Sequence, residues 1–159
     1  MGEFMFKSIL GLILSLILIS NVFADRRNYI WTYQYMTMPK GMTELEFYQT
    51  TKITDSDSWE YRIEVEQGLT DHWDFSVYQI FSQNEDAAFK WDAVQFRTRY
   101  RLGEVGKYFL DPLVYLEYRR KLDFGEPNKA EVKLILAKQF NAVNIVANPV
   151  YEIFFAPGV

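Results

Sequence analysis

Apolar and polar residues alternate with a period of two along most of the chain beyond residue 40. In residues 59–66 every second position is apolar and each intervening one is charged, and residues 94–102 repeat the pattern with Arg97, Arg99 and Arg101 on the polar side. Residues 131–138 repeat it less cleanly. Because successive side chains of a strand point to opposite faces, this pattern predicts β-strands with one apolar and one charged face.

The alternating segments predict an antiparallel up-and-down sheet. Two kinds of connection alternate along the chain: tight, turn-like ones at 68–73, 103–108 and 141–144, and longer polar ones at 52–58, 84–90 and 122–128. One end of the sheet is therefore expected to carry turns and the other polar loops. The predicted strands open at Met42, Trp59, Trp73, Trp91, Asp111, Lys129 and Ile145.

The first 24 residues have the three parts of a secretory signal peptide. Lys7 precedes an apolar run over residues 9–19, and Val22 and Ala24 place small residues before a cleavage site. A transmembrane anchor is the alternative, but it needs about 20 apolar residues, and Ser15 and Ser20 interrupt or end this run. We therefore expect a signal peptide at 1–24 and one β-barrel domain at 25–159.

Aromatic residues near the ends of the predicted strands favour a transmembrane β-barrel. Such barrels have strands of about 9–11 residues, a lipid-facing apolar side and aromatic girdles at both membrane interfaces. The candidate girdle residues are Trp59, Trp73, Trp91, Tyr100, Tyr108, Tyr118 and Phe140. The alternative is a soluble periplasmic or secreted lipocalin-like barrel binding an apolar ligand, whose strands alternate in the same way with the apolar face inward.

Three segments carry a resemblance to a known group of proteins. Residues 35–47 contain a Pro-Lys-Gly turn that opens an alternating strand, residues 66–77 contain a Gly-Leu-Thr-Asp turn followed by aromatics, and residues 130–140 form an alternating strand. Together they resemble porin-like outer-membrane β-barrel proteins of Gram-negative bacteria. The resemblance implies an outer-membrane location, contact with outer-membrane lipid, and contact with the barrel assembly machinery during export.

The number of strands conflicts with a simple closed barrel. The predicted strands number seven, whereas bacterial outer-membrane barrels have even numbers. Either residues 29–38 add a strand that closes an eight-stranded barrel, or the chain is the N-terminal part of a larger barrel. Pro149 lies inside the last predicted strand, where a residue without an N–H is tolerated at an edge or a bulge.

Composition narrows the chemistry of the polar face. The chain has no cysteine and one histidine, His72, which excludes thiolate and multi-histidine metal sites, and its net charge of −4 argues against nucleic-acid binding. We expect no catalysis, metal or cofactor, and the oligomeric state stays open. The charged face predicts either a salt-bridged plug or a pore biased toward anions. Its lumen-facing candidates are Glu60, Arg62, Glu64, Glu66, Asp74, Arg97, Arg99, Arg101, Arg119 and Lys133.

Overall fold

The computed structural model describes residues 32–52, 54–84 and 87–157. The expected signal peptide at residues 1–24 lies outside this part of the chain. In the described residues all regular structure is β-sheet, and none of it is a helix long and apolar enough to span a membrane. The strands are β1 (Thr43–Lys52), β2 (Asp55–Thr70), β3 (Trp73–Gln83), β4 (Lys90–Arg101), β5 (Asp111–Lys121), β6 (Lys129–Phe140), β7 (Val143–Ala147) and β8 (Val150–Phe154).

Each strand pairs antiparallel with the next along the chain, from β1 to β7, and β8 also pairs with β6. The predicted all-β, antiparallel up-and-down architecture is confirmed. The sheet curls into a half-barrel, so complete closure of the barrel is not observed. Among the described residues, β1 and the β7–β8 segment each have a neighbouring strand on one side only.

β7 and β8 make up a single pass across the sheet. The register to β6 runs from Leu136↔Ala147 to Lys133↔Val150 without a shift. Pro149 lies between the two strands, opposite Leu134, whose N–H donates to the Pro149 carbonyl at 3.1 Å. The proline cannot return a hydrogen bond, so the ladder is interrupted at that point. The eight described strands therefore form seven passes, the number that the alternation predicts.

The expected alternation of tight turns with longer polar loops is not kept. Lys52 pairs with Asp55, which closes a short hairpin where a loop over 52–58 was expected. The β4–β5 connection, expected to be tight, extends from Leu102 to Leu110. The Asp111 carboxylate orders this connection by accepting the N–H of Gly106 at 2.6 Å and that of Tyr108 at 3.2 Å. Local side-chain hydrogen bonds of this kind stabilise a longer turn.

A bulge in β4 corrects the phase of the alternation. Ile80 of β3 pairs with Ala93 and Phe81 pairs with Trp91, so that Asp92 is the extra residue. Nine positions separate Trp91 from Tyr100, and an unbroken strand would point them to opposite faces. Because of the bulge both side chains are exposed, whereas Asp92 is buried.

The residues before β1 form a strap instead of an additional strand. Residues 32–38 are described without strand pairing, and the remainder of the expected strand at 29–38 lies outside the described residues. Tyr33 contacts Asn148 near the last pass, and Met38 contacts Asp74 of β3. The strap therefore crosses the inward-curling face of the sheet. Side-chain contacts hold it, because its backbone is not part of the ladder.

The strap joins β1 through a turn at Pro39–Met42. Gly41 adopts φ 77° and donates its N–H to the Gly68 carbonyl, while the Gly68 N–H donates to Met42, both at 2.9 Å. A Cβ on Gly68 would lie 2.0 Å from the Pro39 carbonyl oxygen. Only glycine allows this close approach of the two backbones.

Candidate functional site

The concave face of the half-barrel carries buried charges from three neighbouring strands. Across β3 and β4, Asp74 pairs with Arg99, and across β2 and β3, Glu64 pairs with Tyr78. Directly paired side chains on one face lie about 5 Å apart, so the charges of these strands meet. We call the following five residues, all buried, the ionic cluster: Glu64, Glu66, Asp74, Arg97 and Arg99.

Arg97 is the centre of the ionic cluster. Its side chain is 1% exposed, and its Nη2 lies 2.7 Å from Glu64 Oε1, with Glu66 also in contact. The same nitrogen donates to Ser76 Oγ at 2.6 Å, and the Tyr78 ring centroid lies 5.5 Å from the guanidinium carbon. A buried cation is retained when charge partners and hydrogen bonds replace its hydration. In Arg97 these contacts are all made by Nη2, while Nε and Nη1 are buried without a hydrogen-bond partner.

Arg99 completes the ionic cluster from the next inward position of β4. Its Nε lies 3.1 and 3.0 Å from the two carboxylate oxygens of Asp74, and its Nη2 lies 2.6 Å from Asp74 Oδ2. It also contacts Glu66, so that Glu66 joins the two arginines. Three carboxylates and two guanidiniums thus form one connected network.

A second group of charges lies near the opposite ends of these strands. Arg119 bridges Glu60 at 2.9 Å and Asp92 at 3.2 Å, and Arg62 contacts Glu60 at 2.6 Å. Lys121 lies 2.9 Å from Asp92. Asp92, which the bulge turns inward, thus joins two cations of β5.

Lys133 belongs to a third group beneath the strap. Its Nζ lies 2.5 Å from Glu131, 4.4 Å from the Tyr115 ring centroid and 4.5 Å from the Tyr33 ring centroid. Cation–π contacts at these distances are attractive. The Tyr33 ring belongs to the strap, so the strap supplies one of the two aromatic contacts of Lys133.

The structure places the predicted lumen residues as follows. Those of the ionic cluster meet through adjacent strands, with Glu64 and Glu66 on β2, Asp74 on β3, and Arg97 and Arg99 on β4. The physical reason is register, because β3 brings the acids of β2 within reach of the arginines of β4. Arg101 differs from the rest, since its Nε donates to Thr37 Oγ1 at 2.9 Å and its Nη2 to the Asp71 carbonyl at 2.5 Å. It fixes the strap.

The predicted girdle residues occupy two rims of the convex face. Trp59 is half-buried, and the other six are exposed. Sequence reasoning missed aromatics that join Trp59: Tyr61 stacks on it at 6.4 Å, and Phe89 lies 5.6 Å from Tyr61. Alternation placed Tyr61 on the apolar face but did not reveal this cluster. Near the β2–β3, β4–β5 and β6–β7 connections lie Trp73, Tyr100, Tyr108 and Phe140, and near the opposite rim lie Trp59, Trp91 and Tyr118.

Apolar side chains between the rims are exposed although they are large. Leu45 is 73% exposed, Phe47 65% and Leu116 45%. The polar Thr98 on this face is hydrogen-bonded, since it donates to the Asp74 carbonyl at 2.8 Å and accepts the Trp73 indole N–H at 2.7 Å. Charged side chains are thus buried on the concave face, beside apolar clusters around Ile80 and Ile135, whereas large apolar side chains are exposed on the convex face. Such exposure of charged and apolar groups is the inverse of that in a soluble domain.

Other chemistry at the site is limited in the described residues. No group of three or more His, Asp or Glu among them is arranged to hold a metal ion. His72 lies in the β2–β3 turn with its Nε2 2.9 Å from Glu104 Oε1. Burial raises the pKa of the Tyr35 phenol above its usual value, and the phenol donates to the Gly103 carbonyl at 2.7 Å.

Comparison with known proteins finds no matching family model, no similar curated protein and no similar solved structure. The geometry of the two faces therefore carries the functional argument.

Proposed function

We propose that this chain is an outer-membrane β-barrel protein, porin-like, with a structural or passive-transport role and no catalysis. In this proposal the convex face contacts lipid and the ionic cluster lies in the interior. The N-terminal segment directs export as a signal peptide, and the barrel assembly machinery inserts the strands.

The inverted burial is the observation that supports this proposal. A soluble protein rarely exposes a contiguous apolar patch larger than a few hundred Å². Here a large apolar side chain stands exposed on nearly every pass, including Phe47, Val65, Phe96, Leu116 and Leu134. In lipid such a face loses nothing by being exposed, and backbone hydrogen bonds between neighbouring strands satisfy the polar groups except at the edges of β1 and the β7–β8 segment.

The two aromatic rims have the separation that a membrane requires. On β4, Trp91 and Tyr100 pair with Phe81 and Trp73 of β3, which lie eight residues or about 27 Å apart along the strand. A strand tilted by about 40°, as in outer-membrane barrels, turns this length into a height of about 20 Å. The apolar band of such barrels is about 25 Å tall. The rims therefore suit the two interfaces of an outer membrane.

The interior contacts favour a filled barrel over an open pore. The Nη2 atoms of Arg97 and Arg99 contact carboxylates of neighbouring strands, and the strap lies on the concave face. In a narrow barrel the interior is only wide enough for side chains. We therefore expect no stable conductance in planar bilayers while the strap is in place.

Flotation of the protein with liposomes tests the membrane proposal. The chain without residues 1–24 is refolded with phosphatidylcholine vesicles and centrifuged through a density gradient. We expect it to float with the vesicles, to resist extraction by alkaline carbonate, and to precipitate when detergent and lipid are removed. A monomer that stays in solution without detergent would instead support the lipocalin-like alternative and would overturn the membrane proposal.

A further inference from the structure

We propose that residues 32–38, the strap, form a releasable plug that seals the concave interior from water-soluble solutes. The proposal deepens the proposed function, on which it rests, because it assigns to one segment the control of access to the interior of the barrel. Three features of the strap support it: a base bonded to the sheet through its backbone, a tip whose backbone is hydrogen-bonded by a side chain of the last pass, and the groups that the strap covers.

The base of the strap is fixed to the sheet by backbone contacts. Gly41 and Met42 exchange hydrogen bonds with Gly68 at 2.9 Å, and Pro39 lies against the same glycine. Next to the base, the Met38 N–H donates to Asp74 Oδ2 at 2.9 Å. This end therefore moves only when β2 itself is disrupted.

The backbone of the tip is hydrogen-bonded by one amide side chain of the last pass, and the Tyr33 ring also contacts Tyr115 and Lys133. Asn148 accepts the Tyr33 N–H at 2.7 Å through Oδ1 and donates to the Tyr33 carbonyl at 3.2 Å through Nδ2. Asn148 lies at the interruption between β7 and β8, where it is free to point its side chain at the strap. A tip held by a side chain can detach without breaking the sheet, and segments of this kind open locally before the fold does.

The strap covers both apolar and cationic groups of the interior. Tyr33 and Tyr35 pack on the buried cluster of Leu113, Tyr115 and Ile135. The same two tyrosines present their rings to cations, Tyr33 to Lys133 at 4.5 Å and Tyr35 to Arg101 at 5.7 Å. Release of the tip would therefore uncover an apolar floor and leave Lys133 without one of its aromatic partners.

Thiol labelling in detergent micelles tests the plug. The natural chain has no cysteine, so Ile135→Cys supplies a single thiol beneath the strap. A charged, membrane-impermeant maleimide reports its exposure. We expect slow labelling with the strap intact and about 25-fold faster labelling when Asn148→Ala is added, because each of two lost hydrogen bonds changes the opening equilibrium about fivefold.

Gln139→Ala is the matched control, since it removes an amide from the neighbouring strand β6 that bonds to Asn141 and not to the strap. The control should leave the labelling rate unchanged. Fast labelling of Ile135→Cys in the otherwise natural chain, or equal rates with and without Asn148→Ala, would overturn the plug. If Ile135→Cys does not fold, Ala137→Cys, which is also buried, serves as the probe.

The labelling result and the membrane result are separable. Micelles hold the protein whether or not it belongs in a bilayer, so the labelling rates report on the strap alone. Failure to float with liposomes removes the proposed function, whereas strap-independent labelling removes the plug.

Discussion

At the scale of single residues, Arg97 is the position on which the interior depends most. It lies between Glu64 and Glu66 with almost no exposure to solvent. A buried ion pair adds little net stability over a well-packed apolar substitute, but removing one partner leaves the other charge without compensation. The cost of losing Arg97 should therefore come from the two carboxylates that remain.

Arg97→Met is expected to destabilise the protein by about 3–5 kcal/mol, the usual cost of breaking a buried pair. Addition of Glu64→Gln should recover part of this loss, because Arg99 still contacts Glu66 when Arg97 is absent, whereas Glu64 loses the arginine that it contacts. Arg120→Met is the matched control: Arg120 lies over the Phe124 ring on the convex side and is only half-buried. It should cost less than about 1 kcal/mol. Urea unfolding in detergent, followed by tryptophan fluorescence, measures all three variants.

The sequence predicts which residues share a face but not which residues touch. Alternation alone groups Glu64, Glu66 and Arg97 as polar positions. Their contact needs the register of β2, β3 and β4, and register depends on turn lengths that the sequence leaves open. Asp92 and Thr37 were missed for related reasons. Asp92 faces inward only because of a bulge, and Thr37 acts from a segment without any period.

At the scale of elements, the seventh pass shows how one residue divides a strand. Register is continuous through β7 and β8, yet the ladder stops at Pro149. The missing N–H accounts for the interruption, because the opposite bond from Leu134 is made. The interruption also frees Asn148 for its contact with the strap.

Pro149→Val is expected to join β7 and β8 into one strand. The new N–H can donate to the Leu134 carbonyl and should raise the free energy of unfolding by about 0.5–1.5 kcal/mol. A more flexible unfolded chain should lower the same free energy by about 0.4–1 kcal/mol. Pro127→Val, in the β5–β6 connection, is the matched control. It also makes the unfolded chain more flexible, but it adds no hydrogen bond to the ladder. The free energy of unfolding should be higher for Pro149→Val than for Pro127→Val. Hydrogen exchange should show a protected amide at position 149, and rapid exchange there would contradict the explanation.

The regular elements are the part of the fold that the sequence predicts well. Seven passes and their antiparallel order follow from alternation and turn residues. The strap does not, because Tyr33 and Tyr35 have the period of a strand although residues 32–38 make no strand pairing. Tertiary contacts with Tyr115 and Asn148 decide its conformation, and those contacts are distant in sequence.

At the scale of the whole molecule, two faces of opposite character determine where the protein can be stable. The concave face buries the paired charges of the ionic cluster, whereas the convex face exposes its apolar side chains. In water the convex face would favour aggregation, and in lipid it is matched to its surroundings. The edges of β1 and of the β7–β8 segment add a further demand, since unpaired strand edges are unfavourable in hydrocarbon.

A charged residue placed at two depths of the convex face separates lipid from water as its environment. Leu116 lies near the middle of β5 and Phe140 at the end of β6, and they are 45% and 52% exposed. At the midplane of a bilayer an outward arginine costs about 2–4 kcal/mol, and near an interface about 0–1 kcal/mol. On a water-exposed surface both substitutions should lie within about 0.5 kcal/mol of zero. We therefore expect Leu116→Arg to lower the free energy of unfolding in phospholipid vesicles by at least about 2 kcal/mol, and Phe140→Arg to lower it much less. Equal, small effects at both depths would show that the convex face does not contact lipid.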